Sequence, residues 1–187
     1  MAVVAFGILE VGSDDPIVDP TLAIMEALTL LTAPLIVVLM GSVCVYAPQE
    51  RKLFGVIALS LGVIMAGLTS AVHFYALTAG RQSGFTVLEW PSALYAIELL
   101  AWDVFLGLCL LSAAFVFPGS GIRTKVRWCL LITGSLCLFG TIGPILGDMV
   151  IQRIGILGYG IGLPISSLVL AWFFRREKGR EFAKGSE

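Results

Sequence analysis

The sequence predicts an all-α integral membrane protein, a bundle of five transmembrane helices with the N-terminus outside and the C-terminus in the cytoplasm. Three observations carry this. Apolar residues make up 58% of the 187-residue chain and charged ones only 13%, where a soluble domain carries roughly a quarter. The few charges gather at the ends of long apolar runs. Five of those runs reach the about 20 residues that a helix needs to cross about 30 Å of hydrocarbon.

The first predicted span covers 21–47 and stops at Pro48, before Gln49, Glu50, Arg51 and Lys52. The second covers 53–78 and leads into a connection over 79–91. The third covers 92–117 and is closed by Pro118, Gly119, Ser120 and Gly121; the fourth covers 128–147 and the fifth 154–174. The chain reads as one transmembrane domain with a basic tail over 175–187. Ala2 to Leu9 is apolar but too short to span, lacks the basic leader and cleavage site of a secretory signal, and is expected on the membrane surface. An odd number of spans and the lack of a repeat argue against an inverted-repeat transporter.

Orientation follows from the basic residues. Arg51 and Lys52, then Arg123, Lys125 and Arg127, then Arg175, Arg176, Lys178, Arg180 and Lys184 fall on one side, ten of the twelve in the chain. Arg81 and Arg153 fall on the other, with Glu10, Asp14, Asp15, Asp19, Glu89 and Asp148. The excess of Lys and Arg in short loops marks the cytoplasmic side. Trp128 and Trp172 fall at the inner boundary and Trp90 at the outer one, as an aromatic belt requires. The expected location is the cell membrane.

Several functions are excluded. A net charge of -1 offers no positive field for nucleic acid. The four lysines lie in cytoplasmic segments, so no helix can form a retinal Schiff base. One histidine cannot supply both axial ligands of a membrane haem, and no phosphate loop or nucleophile elbow is present. Cys44, Cys109, Cys129 and Cys137 lack metal spacing and read as reduced packing residues. No metal or cofactor is expected.

What remains is a set of ionisable residues inside apolar helices, where each costs a few kcal/mol and therefore needs a reason. At about 1.5 Å per residue, Glu26 and His73 lie about 7 Å below the outer helix ends, Glu98 about 9 Å and Asp103 about 16 Å. All four sit in the outer half of the membrane or at its midplane. The expectation is an outward-facing polar cavity floored by Asp103 and walled by Glu26, His73 and Glu98. Tyr95 and Trp102, at i−3 and i+4 from Glu98, share its face and would bind substrate with Glu26 and, from the rim, Arg81. Arg81, Gln82, Asp148, Gln152 and Arg153 would form the rim, unless Arg153 pairs with Asp148. Glu98 and Asp103 differ by roughly 140° around an α-helix, so one of them can instead bond a neighbouring helix. Pro34, Pro144 and Pro164 interrupt helices one, four and five and could widen the cavity. Gly143 with Gly147 and Gly158 with Gly162, extended by Gly155 and Gly160, are spaced for close packing of helices four and five or for a homodimer seam.

A few intramembrane carboxylates, a histidine and aromatics in a small helical bundle resemble the ground plan of membrane enzymes acting on sterols or isoprenoids, such as emopamil-binding-type isomerases and membrane terpene cyclases. The likeness is one of architecture, with no motif matched residue by residue. Two readings follow. In the first, the protein binds a small apolar or amphipathic, lipid- or isoprenoid-like molecule and converts it in an isomerase- or cyclase-type reaction. Glu98, His73 and Asp103 then form the catalytic set, with a buried carboxyl as general acid and His73 exchanging the proton. In the second, it is a non-enzymatic subunit or carrier that assembles with a membrane partner, or with its own copy, through the small-residue faces. A pore is disfavoured, because the inner half offers little beyond Ser42, Ser60, Ser112 and Ser167.

Overall fold

The computed structural model describes residues 19–83 and 90–184. The surface segment Ala2 to Leu9, the acids Glu10, Asp14 and Asp15, and Glu89 lie outside the described residues. Every described element is helical. Among the described residues five helices are long and apolar enough to cross a membrane: α1 (Thr21–Tyr46), α2 (Gln49–Gly80), α3 (Ala93–Ala114), α4 (Ile122–Leu146) and α5 (Met149–Gly179). The helix that ends α5 continues into the basic tail as far as Lys184.

The helices form a row in which each packs chiefly on the next. The α1–α2 and α3–α4 connections and the tail share one end. There Arg51 Nη1 donates to the Phe115 carbonyl at 2.8 Å, and Arg123 pairs with Glu177 at 3.8 Å. Lys52 Nζ donates to the carbonyls of Cys44, Val45 and Ala47, which lie at the C-terminus of α1 and have no helical partners of their own. Tyr46 stacks on Phe117 and meets Phe173 and Phe174 edge-on, so α1, the end of α3 and α5 converge on one aromatic cluster. At the opposite end Arg81, just beyond α2, pairs with Asp19, just ahead of α1. The alternation of ends inferred from the basic residues is therefore the alternation the helices have.

The packing is inverted relative to a soluble protein. Leu35, Val38, Ile145 and Leu168 point outward, each about two-thirds exposed or more (66%, 66%, 76% and 72%). Glu26, Thr69, His73, Glu98, Asp103, Thr133, Gln152 and Ser166 are buried. An apolar exterior of this extent calls for a lipid solvent or a partner.

Helix bounds differ from the sequence expectation where caps and turns decide them. α4 starts at Ile122, because Gly121 at φ 70° turns the chain there and the basic residues 123–127 belong to the first helical turns. α5 starts at Met149, capped by Asp148, whose carboxylate accepts from the Val150 N–H at 2.9 Å. Three helices contain a π-helical turn, at Ala76–Gly80 in α2, Leu100–Phe105 in α3 and Leu157–Gly162 in α5. The α5 turn ends two residues before Pro164, which has no N–H for the Gly160 carbonyl. In α4, Pro144 likewise withholds a bond from Gly140, and the regular helix breaks at Thr141. Pro34 leaves α1 continuous.

Small residues join α4 to α5. A Cβ on Gly140 would lie 2.6 Å from the Gly155 Cα; one on Gly158 would lie 2.8 Å from Cys137 Sγ, and one on Gly162 2.7 Å from Thr133 Oγ1. Gly143 faces the Gln152 backbone. Of the glycines singled out in sequence, Gly147 does something else: it ends α4 in the left-handed conformation, φ 73°. The seam is thus used within the chain. Gly155→Ala would drive its methyl into Asp103 Oδ1 and Gly140. It should cost about 1–3 kcal/mol, read as a lowered melting temperature in detergent, whereas Gly67→Ala, which points into open space, should leave it unchanged.

Candidate functional site

Three helices deliver the first group of polar side chains. Ser92 starts α3 by accepting from the Tyr95 N–H at 3.2 Å, which sets Glu98 in the second turn of the helix. Glu26 occupies the corresponding depth on α1, and His73 lies one turn ahead of the π-helical turn of α2. The imidazole stands between the two acids. Its Nδ1 is bonded to Glu26 Oε2, and its Nε2 lies 2.6 Å from Glu98 Oε1. All three residues are buried, Glu26 at 3%, His73 at 5% and Glu98 at 8% exposure.

Glu98 Oε1 is heavily coordinated. It accepts from Thr69 Oγ1 at 2.7 Å and from the Trp102 indole N–H, in addition to His73. Trp102 also donates to Thr69 Oγ1 at 3.0 Å. Glu98 Oε2, by contrast, is buried with no hydrogen-bond partner. With acceptors on both sides, the imidazole donates from both nitrogens when both acids are ionised. Alternatively a proton moves from Nδ1 to Glu26, which then donates back. The two forms differ by one short proton transfer, so the cluster can pass a proton without changing its total.

Asp103 belongs elsewhere. It is fully buried and faces α4 and α5, where Gln152 Nε2 donates to its Oδ2 at 3.4 Å and to Tyr159 Oη at 3.2 Å. Its Oδ1 has no hydrogen-bond partner and rests in the notch between Gly140 and Gly155. The floor expected under Glu98 is therefore a second group, joining α3 to the α4–α5 pair. Trp102 stands between the two groups, bonding Glu98 through its N–H and packing its ring 5.4 Å from that of Tyr159.

Among the other residues expected at the site, Trp102 shares the Glu98 face as the i+4 spacing requires. Tyr95 packs against Trp90, ring centroids 6.2 Å apart, and makes no bond to Glu98. Arg81 is exposed and engaged with Asp19. Gln152 is buried with Asp103 rather than lining a rim, and Asp148 serves as a helix cap. Sequence reasoning missed Tyr159. The signal was available, since Gln152, Gly155 and Tyr159 fall at i, i+3 and i+7 on one helical face.

The fold and the site together define a five-helix bundle with an apolar exterior and two buried polar groups sharing one wall. Comparison with protein-family models, curated proteins and solved structures finds no match for this chain.

Removing the imidazole would leave two buried acids without their shared donor. His73→Ala should therefore destabilise the protein by about 3–5 kcal/mol, measured by unfolding in detergent. Glu26→Gln and Glu98→Gln should be coupled by at least about 0.5 kcal/mol in a double-mutant cycle, because both act on one ring. Strict additivity would show that the ring does not link them.

Proposed function

We propose that this protein is a multi-pass protein of the cell membrane that binds a small apolar or amphipathic, lipid- or isoprenoid-like molecule at the Glu26–His73–Glu98 cluster and acts on it by acid/base chemistry. The observation that carries this reading is the asymmetry of one carboxylate. Glu98 Oε1 takes three donors while Oε2, itself buried, takes none. An unpaired polar atom in a buried site costs about 1–3 kcal/mol, more when charged, and a bound donor would recover it. Three donors on Oε1 hold the carboxylate at a fixed angle, which is what a positioned acid or base needs. His73 returns the proton, and Glu26 holds the ring from the opposite side.

Access runs from the end that carries Asp19 and Arg81. There α1 is held by the Asp19–Arg81 pair and by Glu26 on His73, whereas the aromatic cluster around Tyr46 pins the basic end. Parting α1 from α2 and α3 at the first end opens the cluster toward the outer leaflet. Asp103 is left to brace α3 against α4 and α5. Assembly with a partner through the glycine faces is the weaker reading, because the chain's own helices already occupy them.

Gently purified protein should carry a lipophilic compound near one-to-one stoichiometry by mass spectrometry of the extract. Glu98→Gln, which keeps the shape of the side chain, should lose it while retaining the wild-type circular dichroism spectrum. An empty wild-type protein, or equal loading of the two, would remove the basis for the reading. With that compound as substrate, Glu98→Gln should also abolish turnover.

The orientation, N-terminus outside and tail in the cytoplasm, rests on the basic residues. In a background without native cysteines, Gln82→Cys should react with a membrane-impermeant maleimide in intact cells. Lys125→Cys should react only after permeabilisation, and the opposite pattern would invert the topology.

A further inference from the structure

We infer that the polar group of the bound molecule is a cation, so that the site takes a lipophilic amine in preference to an alcohol or an acid of the same chain length. The inference rests on the binding reading above and specifies the chemistry of its occupant. Charge and geometry carry it together. The buried interior holds three carboxyl groups, Glu26, Glu98 and Asp103, and one imidazole. Lys and Arg among the described residues belong to the helix ends: Arg81 is bound to Asp19, Arg153 is exposed, and the rest gather at the basic end. At the cluster itself two carboxyl groups, Glu26 and Glu98, face a single imidazole, so that with both acids ionised it stands one positive charge short. An ionised group in an apolar surrounding persists only when paired.

The unpartnered oxygen locates where the missing charge belongs. Glu98 Oε2 has no donor from the protein and is itself buried, on a side chain that is nine-tenths buried. An ammonium donates to it by a charge-assisted bond, roughly twice as strong as the neutral bond an alcohol makes. A fatty acid or an isoprenoid diphosphate meets the opposite situation. No Lys or Arg faces the cluster among the described residues, and its anion would join carboxylates.

Dodecylamine, dodecanol and dodecanoate share one tail and differ only in the head group. Titrated into the purified protein in phosphatidylcholine nanodiscs, with indole fluorescence and melting temperature as readouts, the amine should bind at least about tenfold more tightly than the alcohol. Dodecanoate should show no saturable binding. Glu98→Gln should reduce the amine to the level of the alcohol, and Gly67→Ala, in open space, should leave the order intact. If Glu98→Gln does not fold, Glu26→Gln must weaken the amine instead, since it removes charge from the other side of the ring. Equal binding of amine and alcohol, with both lost in Glu98→Gln, would overturn the charge preference and leave the binding reading standing. Tightest binding of dodecanoate, or no binding of any of the three, would overturn the inference. The binding reading itself fails separately, if the extracted wild-type protein is empty.

Discussion

An imidazole held between two carboxylates in an apolar bundle is the constraint around which the rest is arranged. None of the three groups could stay buried alone, since an isolated charge or an unpaired donor in hydrocarbon costs several kcal/mol. Together they satisfy one another, and in doing so they fix three helices. Glu26 brings α1 to His73, and Glu98 brings α3 to the other side of the same ring. At this end of the molecule the polar contact does what the Tyr46 aromatic cluster does at the other. One junction is held by dispersion and shape, the other by proton-bearing groups. Only the second can respond to a ligand with a polar head.

The second consequence concerns α3, which has two working faces. A strict α-helix places Glu98 and Asp103 well apart in angle, and the bundle uses the separation. Glu98 looks toward α2, while Asp103 looks into the seam between α4 and α5. The glycines of that seam have a role beyond close helix packing. Without a Cβ at Gly140 and Gly155 there is room for the Asp103 carboxyl between the two backbones. The π-helical turns stand close by, with Trp102 and Asp103 inside the one in α3 and Tyr159 inside the one in α5. Such turns often mark functional positions, since they re-aim side chains that a regular helix would place elsewhere.

Much of this was legible in the sequence for a simple reason. Span length, terminal charges and the few polar residues within the spans are local or one-dimensional quantities, and the bilayer makes them decisive. The grouping of Glu26, His73 and Glu98 followed from their similar depths, and Trp102 from its i+4 offset. What was not legible depends on azimuth and on neighbours. Depth alone placed Asp103 under Glu98, whereas rotation sends it to a different pair of helices. Asp148 and Arg81 were counted as rim residues because they lie at the right end, but a cap and an ion pair claim them. The π-helical turns in α2 and α3 have no proline to announce them, although Pro164 and Pro144 do account for the irregularities of α5 and α4. Tyr159 went unnoticed although it shares a helical face with Gln152 and Gly155, because Gln152 was assigned to an exposed rim and the structure buries it.

The uneven distribution of polar groups also bears on mechanism. A conducting or transporting protein needs polar partners along its whole path, with sites weak enough to release what they hold. Here both polar groups lie between the middle of the bundle and the end carrying Asp19. Toward the basic end the buried polar residues include the Thr133–Ser166 pair, 2.9 Å apart, and beyond them Tyr46, Phe117 and Phe173 close the bundle. A molecule entering from the Asp19 end would meet acids and an imidazole first and an aromatic wall afterwards. Such a distribution does not supply the polar lining through the whole thickness that a conducting path needs. The polar groups instead tie helices to one another, α1 to α2 and α3 through His73, and α3 to α5 through Asp103.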